Sequence, residues 1–327
     1  MFRGLHLLLV LSIVGLATST AIADHKYRIV IMPKLIGISY YAAVKKGIDE
    51  AARELPDVKV TWTGPTQDRV EKQIAILDKI IPSRPDLIAI APNDRVAIVP
   101  ILEKAKRDGI RILNWAGETN LHDFVVNPVD CRTFGVQIVE ALEEQVGPKG
   151  EIAIVTPSFA APNQLRWIEE IKRHIYSKYP GLTIYDIRTA GANTEESYRI
   201  TSDYLREIPG LKGIIALGVL VAPGVAKAVE EAGLSGKIAV VGVSTPALMR
   251  PYVKDGTVKK VLLWKAQDHG YLTVYSAYRL LTTGIRLNQP FNAGRLGTFT
   301  PQMDGLNMQV FLPTLILTKT NIDEYHF

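Results

Sequence analysis

YRIVIMPKLIGISYYAAVKKGIDEAARELPDVKVTWTGP (residues 27–65) opens with an apolar run, Tyr27–Met32, that halts at Pro33 and Lys34. Two tyrosines, Tyr40 and Tyr41, then head a segment whose apolar residues recur at helical spacing: Val44, Ile48, Ala51 and Leu55. A second run, Val58–Thr63, follows and ends in the turn residues Gly64 and Pro65. A strand without polar alternation is buried on both faces, so strand, amphipathic helix and strand together predict a parallel pair covered by helices. The unexpected feature is a lysine and paired aromatics between a buried strand and the helix it feeds.

The same alternation continues outward. Further strands are predicted at Asp86–Ala91 and Arg111–Trp115, with a helix carrying Val70, Ile74, Leu77 and Ile81. Near NPVDCRTFG (127–135) the pattern restarts with a helix over Cys131–Val146. Strands are then expected at Glu151–Thr156, Leu182–Ile187, Lys212–Leu217, Ile238–Val243 and Val258–Trp264. Two α/β halves of similar size emerge. After Asn288 the rhythm breaks into a Gly, Pro and Asn-rich stretch, and VFLPTLILT (310–318) restores one strand. A late helix and strand predict exchange between two lobes. The expected division is 24–127 plus about 266–287 for the first lobe, and 128–265 plus about 288–327 for the second.

Composition narrows the function. Arg3, the apolar LHLLLVLSIVGLA (5–17) and the small-residue AIA (21–23) form a secretory signal, predicting residues 1–23 as a signal peptide and a mature start at Asp24. The destination is then the periplasm. Cys131 is the only cysteine, so no intrachain disulfide is available and stability must come from large cores. A buried structural thiol suits it better than a nucleophile. Net charge is +5 but spread through mixed blocks, which argues against nucleic acid as a partner. No HExxH, G-x-S-x-G or phosphate loop is present, and the six histidines have no metal-ligand spacing. No catalytic set, cofactor or metal is indicated, and the chain reads as a binder rather than an enzyme.

In open α/β sheets ligands sit beyond the carboxyl ends of the strands. The candidates there are Lys34, Tyr40 and Tyr41 after the first strand, Asn93 with Asp94 after the third, and Trp115 with Glu118 after the fourth. In the second half they lie in SFAAPNQLRW (158–167), GVLVAP (218–223), Ser244 with Thr245, and LWKAQD (263–268). Asn93 or Asp94 is also explained as a helix cap, and Trp115 and Trp167 as packing residues. Two adjacent tyrosines cannot both face one core, so one is free to offer its ring and hydroxyl to a sugar.

MPKLIG (32–37), STPALMRPYVKDGTVKKVLLW (244–264) and NIDEYHF (321–327) resemble the periplasmic sugar-binding proteins of ABC importers. The closest branch is that of the autoinducer-2-binding and rhamnose-binding proteins, and the likeness spans Tyr27–Phe327. It implies an α/β fold of two Rossmann-like lobes joined by three crossings, acting as a monomer that closes on a ligand and delivers it to a membrane permease. Docking to a chemoreceptor is a related role. Matched residue by residue, the family's contacts fall on Lys34, Gln164 and the Tyr40–Tyr41 pair. Other family positions differ: Ala116 and Asn163 replace acids, Leu217, Gly218 and Val219 replace Pro-Asp-Ala, and Lys265 replaces an acid. Arg166 adds a cation near the helix beginning at Asn163.

These departures leave Lys34 without obvious counterions, unless Glu118 or Asp94 pairs with it. Burying an unpaired ammonium is costly. The expectation is therefore a small sugar-like ligand, with a sugar acid or other anionic derivative placed ahead of a neutral sugar, and with autoinducer-2 disfavoured. A sugar-responsive repressor would need a DNA-binding motif before Tyr27, where only the signal lies. An exported sugar-acting enzyme remains the third class.

Overall fold

The apolar runs become strands because both of their faces are covered. In β1 (Tyr27–Met32) the last four residues are buried, and all four residues of β3 (Leu87–Ile90) are. The computed structural model describes residues 25–327, so the expected signal peptide and mature start at Asp24 lie outside the described residues. The first half runs β1, α1 (Ser39–Glu54), β2 (Val58–Trp62), α2 (Val70–Ile80), β3, α3 (Val99–Arg107), β4 (Arg111–Trp115) and β5 (Phe124–Asn127). The second half begins with α4 (Cys131–Val146), β6 (Lys149–Thr156), α5 (Pro162–Lys178), β7 (Gly181–Thr189) and α6 (Thr194–Glu207). It continues with β8 (Leu211–Ala216), α7 (Ala222–Glu231), β9 (Ala239–Val243), α8 (Pro246–Lys254) and β10 (Lys260–Leu263). Then follow α9 (Ala266–Thr282) and the short strands β11 (Phe291–Asn292), β12 (Thr298–Phe299), β13 (Gln302–Asp304), β14 (Asn307–Phe311) and β15 (Leu315–Leu317).

Two main sheets form. The first has the order β13-β14-β5-β4-β3-β1-β2, parallel except for β13 against β14. The second has the order β15-β10-β9-β8-β6-β7, parallel except for β15 against β10. The chain passes between sheets three times: from Asn127 to Cys131, from Leu263 to Ala266, and from Phe311 to Leu315. This is the two-lobed α/β architecture that the sequence predicts.

The C-terminal assignment needs correction. Residues 288–327 do not all join the second lobe, because β14 pairs with β5 and carries β13 onto the edge of the first sheet. VFLPTLILT is likewise two strands, not one. Pro313 has no amide hydrogen to continue a ladder, and the chain leaves one sheet before it and enters the other after it.

Helix ends follow local chemistry. Asp130 accepts a hydrogen bond from the Thr133 amide at the start of α4, and Asn193 accepts two at the start of α6. The first lobe is held by α1 against α9 at backbone contact. A Cβ on Gly47 would lie 1.8 Å from the Gln267 carbonyl oxygen, and one on Gly270 would lie 2.1 Å from that of Val44. Only glycine permits that approach.

Candidate functional site

The carboxyl ends of both sheets face one cavity of about 90 Å³ between the lobes. Its first-lobe wall begins at Lys34, two residues beyond β1. Gln73 of α2 fixes that strand end, its side-chain amide donating to the Pro33 and Ala91 carbonyls at 3.1 and 2.8 Å. The same side chain accepts from the Asn93 amide, and Asn93 Nδ2 donates to the Lys34 carbonyl at 3.0 Å. The Lys34 ammonium therefore projects from a rigid base. It crosses to the second lobe, donating to Asn163 Oδ1 at 2.5 Å and Gln164 Oε1 at 3.5 Å. Burial pulls its pKa from 10.5 to about 8, and the negative charges of Asp68 and Glu118 act against that fall.

Tyr40 and Tyr41 both line the cavity and both are buried, in edge-to-face contact at 4.9 Å. The pair does not divide between core and cleft: both rings border the cavity, Tyr40 covered by Trp264 of the second lobe and Tyr41 backed by Trp62 and Trp115 of the first. Tyr40 meets the Trp264 ring at 6.0 Å and accepts from its indole N–H at 2.9 Å. Tyr41 meets Trp115 at 6.1 Å. Burial pushes both phenols up.

Ala116 adopts a left-handed φ of 56°, and Gly117 follows at 136°. A Cβ on Gly117 would stand 2.8 Å from Pro162 Cγ, so this turn lets the first lobe sit directly on the start of α5. From the second lobe, α5 contributes Asn163, Gln164 and Trp167, spaced to share one helical face. Leu217 and Val219, with Leu220 and Val243, add an aliphatic wall.

Several sequence candidates do not line this cavity. Asn93 borders an outer polar recess of about 280 Å³ and acts on the inner cavity by bracing Lys34. Trp115 is fully buried behind the wall, packed on Tyr41, Trp62 and His269. Arg166 falls off the cavity face of α5 and is engaged by Glu118 and Asp304. Lys265 is exposed, because the alternation that turns Trp264 into the wall sends its neighbour to solvent. Asp94 caps the following turn, its carboxylate accepting from the Val96 and Ala97 amides.

Sequence reasoning missed Asp68, which lines both the cavity and the outer recess. It lies in TGPTQDRVEK (63–72), a charged loop with the appearance of a solvated one. Burial raises its pKa while Lys34 lowers it, so the two opposite charges share one enclosure. Asp68 and Glu118 supply negative charge near Lys34 without pairing with it directly, its ammonium bonding Asn163 and Gln164 instead. Trp167, for which the sequence offers packing as the alternative to a cleft role, lines the cavity, and its buried indole N–H has no protein acceptor among the described residues. Cys131 is buried and its thiol is pushed up by burial, which leaves it unreactive. Among the described residues no cluster of His, Cys, Asp or Glu is placed to hold a metal.

A family model described as a periplasmic binding protein domain matches residues 29–285. The chain belongs to the periplasmic binding protein family. This binding protein is 24% identical over 284 residues to the D-ribose/D-allose-binding protein of Pseudomonas aeruginosa, covering 83% of this chain and 87% of that one. It is also similar to an L-rhamnose-bound ABC transporter solute-binding protein from Clostridium phytofermentas, with a TM-score of 0.86 and 24% identity, covering 92% and 98% of the two chains. LsrB from Clostridium saccharobutylicum, in complex with AI-2, superposes with a TM-score of 0.84 at 19% identity, covering 92% of this binding protein and all of that chain. At such identities the solved structures establish the shared fold.

Proposed function

We propose that this protein captures a small neutral sugar between its lobes in the periplasm and presents it to the permease of an ABC importer. The observation that carries this reading is that Lys34 and Asp68 line the same cavity with opposite charge. A ligand with its own negative charge would face Asp68, whereas the hydroxyls of a neutral sugar are donors to the carboxylate and acceptors from the ammonium. This reading reverses the order expected from sequence. Tyr40, Tyr41, Trp167 and Trp264 supply ring faces for C–H surfaces. The aliphatic wall of Leu217, Val219, Leu220 and Val243 suits a position of the sugar that lacks a hydroxyl. Cavity size supports a single ring, since one water takes roughly 10–15 Å³ on a comparable measure.

The named relatives support a sugar as the ligand class, being described with D-ribose, D-allose and L-rhamnose. A thermal-shift screen of the ligand-stripped chain tests the reading, pairing D-ribose, D-allose and L-rhamnose with their aldonic acids. At a hundred times its dissociation constant a ligand adds about 2.7 kcal/mol of stability. Shifts with neutral members support the proposal. Shifts confined to the acids, or turnover of the sugar on prolonged incubation, would replace it.

A further inference from the structure

Away from the cavity, a second set of charges joins the lobes. Arg166, on α5 of the second lobe, donates from Nη2 to Asp304 Oδ2 at 2.8 Å, and its Nη1 lies 3.6 Å from Glu118 Oε1. Both acids belong to the first lobe: Glu118 follows β4, and Asp304 ends β13 at the sheet edge. The Glu118 carboxylate also accepts from Asn127 Nδ2 at 3.4 Å, and Asn127 donates to Gln309 Oε1 at 2.6 Å. Residues of β5 and β14 thus hold the first-lobe acid in place for a guanidinium from the second lobe. None of these five residues lines the ligand cavity.

The setting makes the contact more than a solvated surface pair. Side-chain exposure is 24% for Arg166 and 10% for Glu118. Parting the lobes would separate Arg166 from both acids, and because the contact is partly shielded from solvent its attraction is screened less than that of an exposed pair. The cluster therefore favours closure.

We infer that Arg166 is a positioning residue that sets the closing equilibrium, and through it the affinity for any ligand, without touching that ligand. A residue that acts on closure changes every dissociation constant by one shared factor, whereas a residue in contact with ligand discriminates. This inference rests on the two-lobed closure and not on the sugar reading.

The test places a fluorescent donor and acceptor on the exposed positions Val96 and Tyr185, one on each lobe, through Val96→Cys and Tyr185→Cys; the native Cys131 is buried. Distances are measured without added ligand, at low and high salt. Arg166→Gln should lengthen the interlobe distance and lose the salt response, and Arg166→Lys should keep part of it. Asp304→Asn should shift the distance in the same direction and add little to Arg166→Gln, and it carries the test alone if Arg166→Gln does not fold. With D-ribose and L-rhamnose as probes, affinity should fall by a common factor of about ten. Unchanged distances and salt response in both variants, or a loss for one sugar alone, would overturn the inference. If neither sugar binds the parent chain, the sugar reading fails while the distances still decide the role of Arg166.

Discussion

Replacing Lys34 with methionine should make the protein more stable near neutral pH while impairing capture. Lys34 is only 6% exposed, and burial lowers its pKa from 10.5 to about 8. Below pH 8 both folded and unfolded chains carry the proton, and the folded state bears the whole cost of burying the charge. Between pH 8 and 10.5 the unfolded chain holds the larger share of that proton, so stability rises with pH across this window. At about 1.4 kcal/mol per pH unit, the depression corresponds to about 3 kcal/mol. Methionine removes this cost but leaves Asn163 Oδ1 and Gln164 Oε1 without their donor, at about 1 kcal/mol for each. The variant should therefore gain about 1 kcal/mol at neutral pH. Urea unfolding of both proteins, from neutral pH to pH 10, checks this. The upper limit avoids Tyr40 and Tyr41, whose raised pKa values lower stability once the unfolded phenols ionise. A parental stability that stays flat between pH 8 and 10, or a variant weaker at neutral pH, would mean that the buried ammonium carries no such cost.

Gly270→Ala should cost more than about 3 kcal/mol, since its Cβ would meet the Val44 carbonyl at 2.1 Å, backbone against backbone; a denaturation midpoint near the parent's would contradict the α1–α9 contact. His269 is fully buried, its Nε2 3.1 Å from the Val126 carbonyl and its ring against Trp115 and Trp264. Burial lowers its pKa from 6.5 to about 4, so the unfolded chain binds the extra proton between those values and stability is lost as pH falls through them. His269→Leu should flatten that acid limb of the unfolding midpoint, and an unaltered limb would assign the loss to other groups.

Much of the fold was legible because buried parallel strands are nearly continuous apolar runs. Cys131–Val146 was read with its observed bounds, since Asp130 caps one end and Gly147 breaks the other. The strand Phe124–Asn127 was missed because four residues flanked by a short loop and a proline carry little periodic signal. The hairpin of β13 and β14 was hidden for a similar reason: its strands are short and the turn is made by Gly305 at a φ of 60°. The lining of the candidate site was legible where a wall residue directly follows a strand or starts a helix, as with Lys34 and Gln164. It was illegible where tertiary enclosure changes a residue's character. Asp68 reads as a solvated loop acid until the second lobe covers it. Arg166 reads as a ligand contact until the first-lobe acids are seen beside it.

Lys34 and Asp68 bring opposite charges to one cavity. Calorimetric titration of the parent chain and Asp68→Asn, each with L-rhamnose and with L-rhamnonate, reads whether that balance selects the ligand. The parent should prefer the neutral sugar, and removing the carboxylate should shift the preference toward the acid by about tenfold, as loss of one like-charge contact implies. A parent that binds the acid more tightly, with a preference that Asp68→Asn leaves unchanged, would mean that the charge balance does not select the ligand.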